Sequence, residues 1–289
     1  MPAPPVSNVA VLGAGLIGLD LVDKIRRSPR LRCGLVVGHD RPTVALRRAA
    51  ELGCPTTTGG ASALTAAGPF DVVFDATTAA AHTRHYPDLA QAARLVVDLT
   101  PSGLGTAVVP AVNGPAALTE AHLNLISCGG QASIPVLHAI TRHWRPDYIE
   151  VVTTVASATA GRATRLNLDE YITTTQAAIR HFTGAAAVKV LVNVSPARPA
   201  PPFRVAMTLH GAALNTAHAQ TAAAQAAEHV QHFAPGFTIT STTANGRGLT
   251  VAAEVTARGG RLPHHAGNLH LINAAAVLLA EQYTTAQGR

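Results

Sequence analysis

Apolar positions in this chain come in short unbroken runs set between stretches of helical spacing. Val9-Ala10-Val11-Leu12 is the first run; Leu35-Val36-Val37-Gly38-His39-Asp40, Asp71-Val72-Val73-Phe74-Asp75, Leu95-Val96-Val97-Asp98 and Leu123-Asn124-Leu125-Ile126 follow. Runs this short, rich in valine and leucine, predict strands buried on both faces. Helical spacing covers 19–27, 43–52, 79–93 and 131–143, and a further short strand is expected near 55–58. Strands alternating with helices predict an α/β fold: a Rossmann-like, doubly wound parallel sheet whose ligand lies at the carboxyl ends of the strands. Thr77, Thr78, Asp98, Thr100 and Cys128 all fall at such ends.

The pattern changes after Trp144. Residues 148–157 are β-rich, 159–167 read as a loop containing glycine and arginine, and 168–182 read as a helix. Two strands, 188–194 and 203–210, are separated by the proline-rich segment 195–202, which no helix could cross. Residues 217–233 are helical, 237–243 and 249–258 form a hairpin across Asn245-Gly246, and 268–282 make a closing helix. Elements out of strict alternation predict an α+β second domain, whose open sheet is a natural dimer surface.

Chemistry enters at the first turn. Gly13-Ala14-Gly15-Leu16-Ile17-Gly18 is G-x-G-x-x-G with a strand before it and a helix after it. The first glycine makes the tight turn, the second lets backbone approach a pyrophosphate, and the third lets helix and strand pack; the phosphates then meet a helix N-terminus. Asp40 ends the second strand where ribose hydroxyls are read, which favours NAD, while Arg41 beside it leaves NADP open. Residues 1–127, completed by the C-terminal helix 268–289, are therefore expected to be the dinucleotide-binding domain, and 128–267 the catalytic and dimerisation domain.

The second signal is Ser127-Cys128-Gly129-Gly130-Gln131-Ala132, a thiol where a strand gives way to a helix. Free amide N–H groups and the helix dipole at that point lower a thiol's pKa, and the amides of Gly129 and Gly130 could hold an oxyanion. The other reading of this segment is an inert buried cysteine at a glycine-rich turn.

Composition changes the picture little. Among 289 residues, 47% are apolar, enough for a real core, and no apolar run approaches the ~18 residues of a membrane span. The net charge of +6 comes from arginines dispersed along the chain without interleaved aromatics, which argues against nucleic acid. Three cysteines, Cys33, Cys54 and Cys128, are too few and too scattered for a disulfide framework or a zinc site, so no metal is expected. The opening Met1-Pro2-Ala3-Pro4-Pro5 lacks a basic region and apolar stretch, so a cytoplasmic protein is expected.

Several segments taken in order carry a resemblance over nearly the whole chain: Gly13 to Gly18, Phe74-Asp75-Ala76-Thr77, Asp98-Leu99-Thr100-Pro101, Cys128-Gly129-Gly130-Gln131-Ala132, Ala160-Gly161 with Thr164-Arg165, and Ala266-Gly267-Asn268-Leu269. Together they resemble the acylating acetaldehyde dehydrogenases, which oxidise a short aldehyde to its acyl-CoA with NAD. The resemblance implies that Cys128 carries the acyl group. It implies that NAD is held by Ala14, Gly15, Leu16 and Ile17, with Thr77 nearby. It also assigns to NAD the segment holding Thr159, Ala160, Gly161, Arg162, Thr164, Arg165 and Asn167, together with Asn268. Coenzyme A as co-substrate, a homodimer and a 4-hydroxy-2-oxovalerate aldolase-like partner are implied likewise. Two features depart from the family pattern: where an aspartate follows the arginine the chain has Arg204-Val205, and the stretch from Phe237 to His264 is short.

The expected reaction is attack of the Cys128 thiolate on the aldehyde, hydride transfer to the nicotinamide, and release of the acyl group from the sulfur to coenzyme A. His210, at a strand end, and His264 and His265, beside Asn268, are the candidate general bases. Two alternatives stay open: a phosphorylating semialdehyde dehydrogenase acting on an acyl phosphate, and a catalytically lapsed NAD-binding partner protein.

Overall fold

A computed structural model of the chain describes residues 5–212, 215–245 and 248–288, with the side chains of 162, 163 and 245 outside that description. It divides into two compact units, Met1–Leu125 with Asn273–Arg289, and Ile126–Ile272.

The first unit contains β1 (Ser7–Leu12), α1 (Leu16–Arg27), β2 (Leu31–Val37), α2 (Val44–Glu51), β3 (Thr56–Thr57), α3 (Gly60–Ala67), β4 (Phe70–Asp75), α4 (Ala79–Ala92), β5 (Ala93–Asp98), β6 (Thr106–Ala107), α5 (Pro110–Ala117) and β7 (His122–Asn124). Its seven strands make one parallel sheet in the order β3-β2-β1-β4-β5-β7-β6. The apolar runs occupy the centre: Val9, Ala10, Val11, Val72, Val73, Phe74 and Val97 are all fully buried. Burying each large apolar side chain contributes about 1.5–3 kcal/mol, which explains why sheet centre and apolar run coincide. Strand order reverses between β1 and β4, and there an open α/β sheet opens its ligand crevice.

The second unit contains α6 (Cys128–Thr141), β8 (Tyr148–Ala156), α7 (Arg162–Leu166), α8 (Leu168–Thr183), β9 (Ala187–Ser195), β10 (Phe203–His210), α9 (Thr216–Gln231), β11 (Phe237–Asn245) and β12 (Gly248–Val255). Five strands form a mixed sheet, β11-β12-β10-β8-β9, with β8 and β9 parallel and the other pairs antiparallel. Alternate residues of β10, Phe203, Val205, Met207 and Leu209, are buried, as one covered sheet face requires. Helix α10 (Gly267–Gln287) runs through the division at Ile272. Its later turns are tied to the first unit: Asn273 Nδ2 donates to Asp20 Oδ2 (2.8 Å) and Ile17 O (3.1 Å), and Ser28 donates to Glu281 (2.5 Å).

Several boundaries move. The expected strand 123–126 is β7, ending at Asn124, because Ile126 adopts a left-handed φ of 65° that no strand continues through. The following helix starts at Cys128 rather than 131. Helices α3 and α5 were hidden in the sequence, one by its Gly-Ala-Ser composition and the other by Gly114 and two prolines. Pro110 occupies the first helical turn of α5, where its missing N–H costs nothing. The expected loop 159–167 contains α7. Strand β2 stops at Val37, so Asp40 lies three residues past its end and not at it. The strands of the expected hairpin pair as β11 and β12, while Gly246 lies outside the described residues.

Candidate active site

In the first unit the chain leaves β1 through Gly13, whose φ of +100° excludes most side chains. A Cβ on Gly13 would stand 2.8 Å from the Ala76 carbonyl, and one on Gly18 would overlap the Gly13 carbonyl. Gly15 is the N-cap of α1 and supplies no side-chain cap, so the first-turn amides of that helix are not taken by a capping side chain. Thr77 sits against the same turn and is fixed by Asp75, whose Oδ1 accepts from the Thr77 N–H (2.9 Å) and hydroxyl (2.6 Å). A turn closed to a Cβ at Gly13 and Gly18 but open in front of Gly15, at the sheet's switch point and over an uncapped helix start, fits a dinucleotide pyrophosphate. Ala14, Leu16 and Ile17 belong to this turn; Asp40 is exposed and paired with His39 (2.5 Å).

In the second unit Ser127 caps α6, its hydroxyl accepting from the Gly130 N–H (2.9 Å). Thr175 donates to the Tyr171 carbonyl (2.5 Å), so the Ser127 proton is the one that bridges Ser127 and Thr175 (2.7 Å). This line of hydroxyls ties the start of α6 to α8. It brings the Tyr171 hydroxyl to 2.9 Å from the Gly129 N–H, which donates to it, and to 3.7 Å from Cys128 Sγ. Gly129 must be glycine here, since a Cβ would collide with the Tyr171 oxygen and stand 2.7 Å from Thr153 Oγ1.

Cys128 is half-buried, and burial pushes its thiol up to about 11, against the opposing pull of Tyr171, the Gly129 N–H and its own N–H. The thiol expected to be acidified at the helix start is thus held neutral, because desolvation outweighs the hydrogen bonds to sulfur. Tyr171 is also buried and lies well above its usual value, through burial and then the neighbouring sulfur, so it stays a phenol that donates. The expected pair of oxyanion amides changes too. Gly130 donates to Ser127 and Gly129 to Tyr171, which leaves the phenol proton as the donor beside the sulfur.

The segment after β8 is built around Arg165, which donates to Ala160 O (3.1 Å) and to Ser157 Oγ (2.9 Å). Thr159 and Ala160 are buried, Gly161 and Thr164 half-buried, and the side chain of Arg162 lies outside the described residues. Asn167, buried, is the N-cap of α8. Asn268 reaches this segment: its Nδ2 donates to Thr159 O (3.4 Å), while its buried Oδ1 has no partner among the described residues. An unpaired buried acceptor costs about 1–3 kcal/mol, and a ligand amide offers what it lacks.

The histidines fare differently. Strand register sets Val205 opposite Thr153 and His210 opposite Tyr148. Five residues of strand therefore separate His210 from the level of Thr153 and Gly129, about 17 Å, and it stacks on Tyr148 instead. It is not the base expected at Cys128. His264 is exposed and His265 half-buried; among the described residues no hydrogen bond joins either to the thiol. Val205 lies opposite Thr153, beside the Cys128 corner, and there it presents a buried methyl pair rather than a carboxylate. Tyr171 was missed by sequence reasoning. The available signal was a tyrosine on the buried stripe of α8 with Thr175 and Ala178, since a buried phenol needs a partner.

A family model described as the dimerisation region of prokaryotic acetaldehyde dehydrogenase matches residues 128–263. An acetaldehyde dehydrogenase of Streptomyces griseus is 50% identical over 283 residues, covering 98% of this chain and 92% of that protein. One from Geobacillus stearothermophilus is 40% identical, covering 95% of each, and one from Burkholderia pseudomallei is 37% identical, covering 95% and 93%. Among solved structures, aspartate semialdehyde dehydrogenase II of Vibrio cholerae shares the fold with a TM-score of 0.64 at 15% identity, over 96% of this chain and 98% of that one.

Proposed function

The chain belongs to the prokaryotic acetaldehyde dehydrogenase family, and from that membership we propose that it interconverts a short-chain aldehyde and its acyl-CoA with NAD through a thioester on Cys128. The observation that carries this reading is the corner where Cys128 Sγ, the Tyr171 hydroxyl and the Gly129 amide meet at the first turn of α6.

The ionised fraction of Cys128, its thiol proton released to solvent, attacks the aldehyde carbon, and the carbonyl oxygen becomes an oxyanion. Tyr171, kept protonated by burial, donates to that oxygen, while the Gly129 amide holds the phenol in place. The Ser127-Thr175 bridge keeps phenol and sulfur in register as charge develops. Bound NAD would supply the acceptor for the hydride that leaves the adduct carbon as the oxyanion collapses to the thioester. In the first unit Gly13, Ala14, Gly15, Leu16, Ile17, Gly18 and Thr77 would hold its phosphates; in the second, Asn268 with Thr159, Ala160, Gly161, Thr164, Arg165 and Asn167 are the residues that the family resemblance assigns to NAD. The acyl group then stays on Cys128 until the coenzyme A thiol displaces it, a thioester exchange close to thermoneutral and hence reversible.

We place the protein in the cytoplasm as a homodimer formed through the second unit, whose matched region is described as a dimerisation region. An aldolase-like partner acting on a 4-hydroxy-2-oxo acid would supply the aldehyde; co-elution of the two proteins in gel filtration tests this.

Intact-protein mass spectrometry after mixing with acetaldehyde and NAD tests the central claim. The expected result is an acetyl adduct on the wild type, none on Cys128→Ser, and discharge by coenzyme A but not by inorganic phosphate. Discharge by phosphate would favour the semialdehyde dehydrogenase reading, and NAD binding without any adduct the lapsed one.

A further inference from the structure

In the first unit a second group of chemistry-bearing side chains stands outside the machinery just described. His82 on α4, Asp98 at the end of β5 and His122 at the start of β7 converge. His82 Nε2 is 3.0 Å from His122 Nε2 and 3.3 Å from Asp98 Oδ2. The three donor atoms all lie within 4.8 Å of one another. We propose that His82, Asp98 and His122 form a binding site for a divalent cation of the zinc type.

The separations are those of one coordination sphere. Donors about 2.1 Å from a tetrahedral zinc stand about 3.4 Å apart, close to the two distances above. A point equidistant from all three donors lies no more than about 2.4 Å from each, a few tenths of an ångström beyond zinc bond lengths. Two imidazoles and one carboxylate form a set that zinc favours, with a fourth position left for water.

The surroundings support the ligands as a metal site requires. Asp75 Oδ2 takes the other nitrogen of His82 (2.8 Å), a carboxylate–histidine pairing that fixes the tautomer presenting Nε2 inward. Asp98 is oriented by the Thr100 N–H on Oδ1 (2.7 Å) and by Ser102 (2.6 Å) and Asn124 (2.8 Å) on Oδ2, so a cation at Oδ2 would take the place of one of those two donors. Tyr86 stacks on the His122 ring at 4.1 Å and 18°, setting its plane. His82, Asp75 and Asp98 are fully buried and His122 is 8% exposed, so the cluster opens outward at one member.

Charge points the same way. Two buried carboxylates, Asp75 and Asp98, share the cluster, and burying charge is costly unless it is neutralised. A doubly charged ion bound there would balance both carboxylates. The sequence reading expected no metal because it weighed cysteines; these donors are two histidines 40 residues apart and an aspartate between them, a spacing no short motif flags.

The test uses the full chain, stripped with a chelator and dialysed against Zn²⁺ and, separately, Co²⁺. One zinc per chain is expected, with affinity falling at least about tenfold in His122→Asn and in Asp98→Asn. Zn²⁺ should raise the melting temperature of the wild type and of neither variant. Co²⁺ should give visible d–d bands without a thiolate-to-cobalt band, which the hydrogen-bonded thiols Cys33 and Cys54 would otherwise produce. Failure of the wild type to take up stoichiometric zinc, zinc binding unchanged in both variants, or a thiolate band each overturns the proposal. Two variants are used so that one that folds poorly, seen by circular dichroism, leaves the other to decide. None of these readouts depends on aldehyde turnover.

Discussion

Replacing Tyr171 by Phe removes one oxygen and little else, and the structure says what that oxygen does. It accepts from the Gly129 N–H at 2.9 Å and stands 3.7 Å from Cys128 Sγ with its own proton uncommitted to Gly129. A hydrogen bond to a charged group is worth about 1.5–3 kcal/mol, so losing the donor to the oxyanion should lower kcat/KM by about 10- to 150-fold. The thiolate loses the same donor. Tyr171 pulls the Cys128 pKa down against burial, so Phe should raise it further above about 11. At any fixed pH below that value the ionised fraction falls, and alkylation of Cys128 by iodoacetamide should slow, with its pH profile displaced to higher pH. Thr175→Val is the control, since it breaks the bridge to Ser127 while keeping the phenol. The assays are steady-state kinetics, alkylation rate against pH, and thermal melting. A lower melting temperature with kcat/KM within about threefold and an unmoved alkylation profile would show Tyr171 to be scaffold only, and the proposed oxyanion donor would be wrong.

Other substitutions sort the remaining assignments. Gly129→Ala drives a Cβ into the Tyr171 oxygen and should destabilise by about 1–3 kcal/mol with loss of turnover, read by denaturant melts beside activity. Gly18→Ala meets the Gly13 carbonyl, so NAD affinity by fluorescence titration should fall at least tenfold, and unchanged affinity would remove the turn from the cofactor site. Asn268→Ala removes the unpaired buried acceptor; its folding stability should hold or rise while KM for NAD increases, and an unaltered KM would detach Asn268 from the cofactor. His210→Ala, about 17 Å along its strand from the Gly129 level, should leave kcat/KM within about twofold.

The parallel sheet was legible because buried strands must be apolar on both faces, and the runs at 9–12, 71–75 and 95–98 sit within β1, β4 and β5. Periodicity failed where breakers masked helices, at α3 and α5, and where a single φ at Ile126 ended a strand early. The glycine turn was readable because its spacing encodes steric limits that the backbone confirms at Gly13 and Gly18. Tyr171 was not, since its role arises from α8 packing on α6, a long-range contact that no local pattern announces. The thiol's protonation was misjudged for a related reason: a helix start can be seen in sequence, whereas the desolvation that outweighs it depends on how the unit closes around the sulfur.

The bridge from Gly130 through Ser127 and Thr175 to the Tyr171 backbone has a mechanical consequence. Helices that merely pack can slide past one another by small steps, but a proton-ordered chain of hydroxyls locks their phase, as meshed teeth do. If α8 shifts when a ligand arrives, the sulfur and the phenol travel as one part. Their mutual spacing is then insulated from whatever the neighbouring segments do to admit or release a substrate.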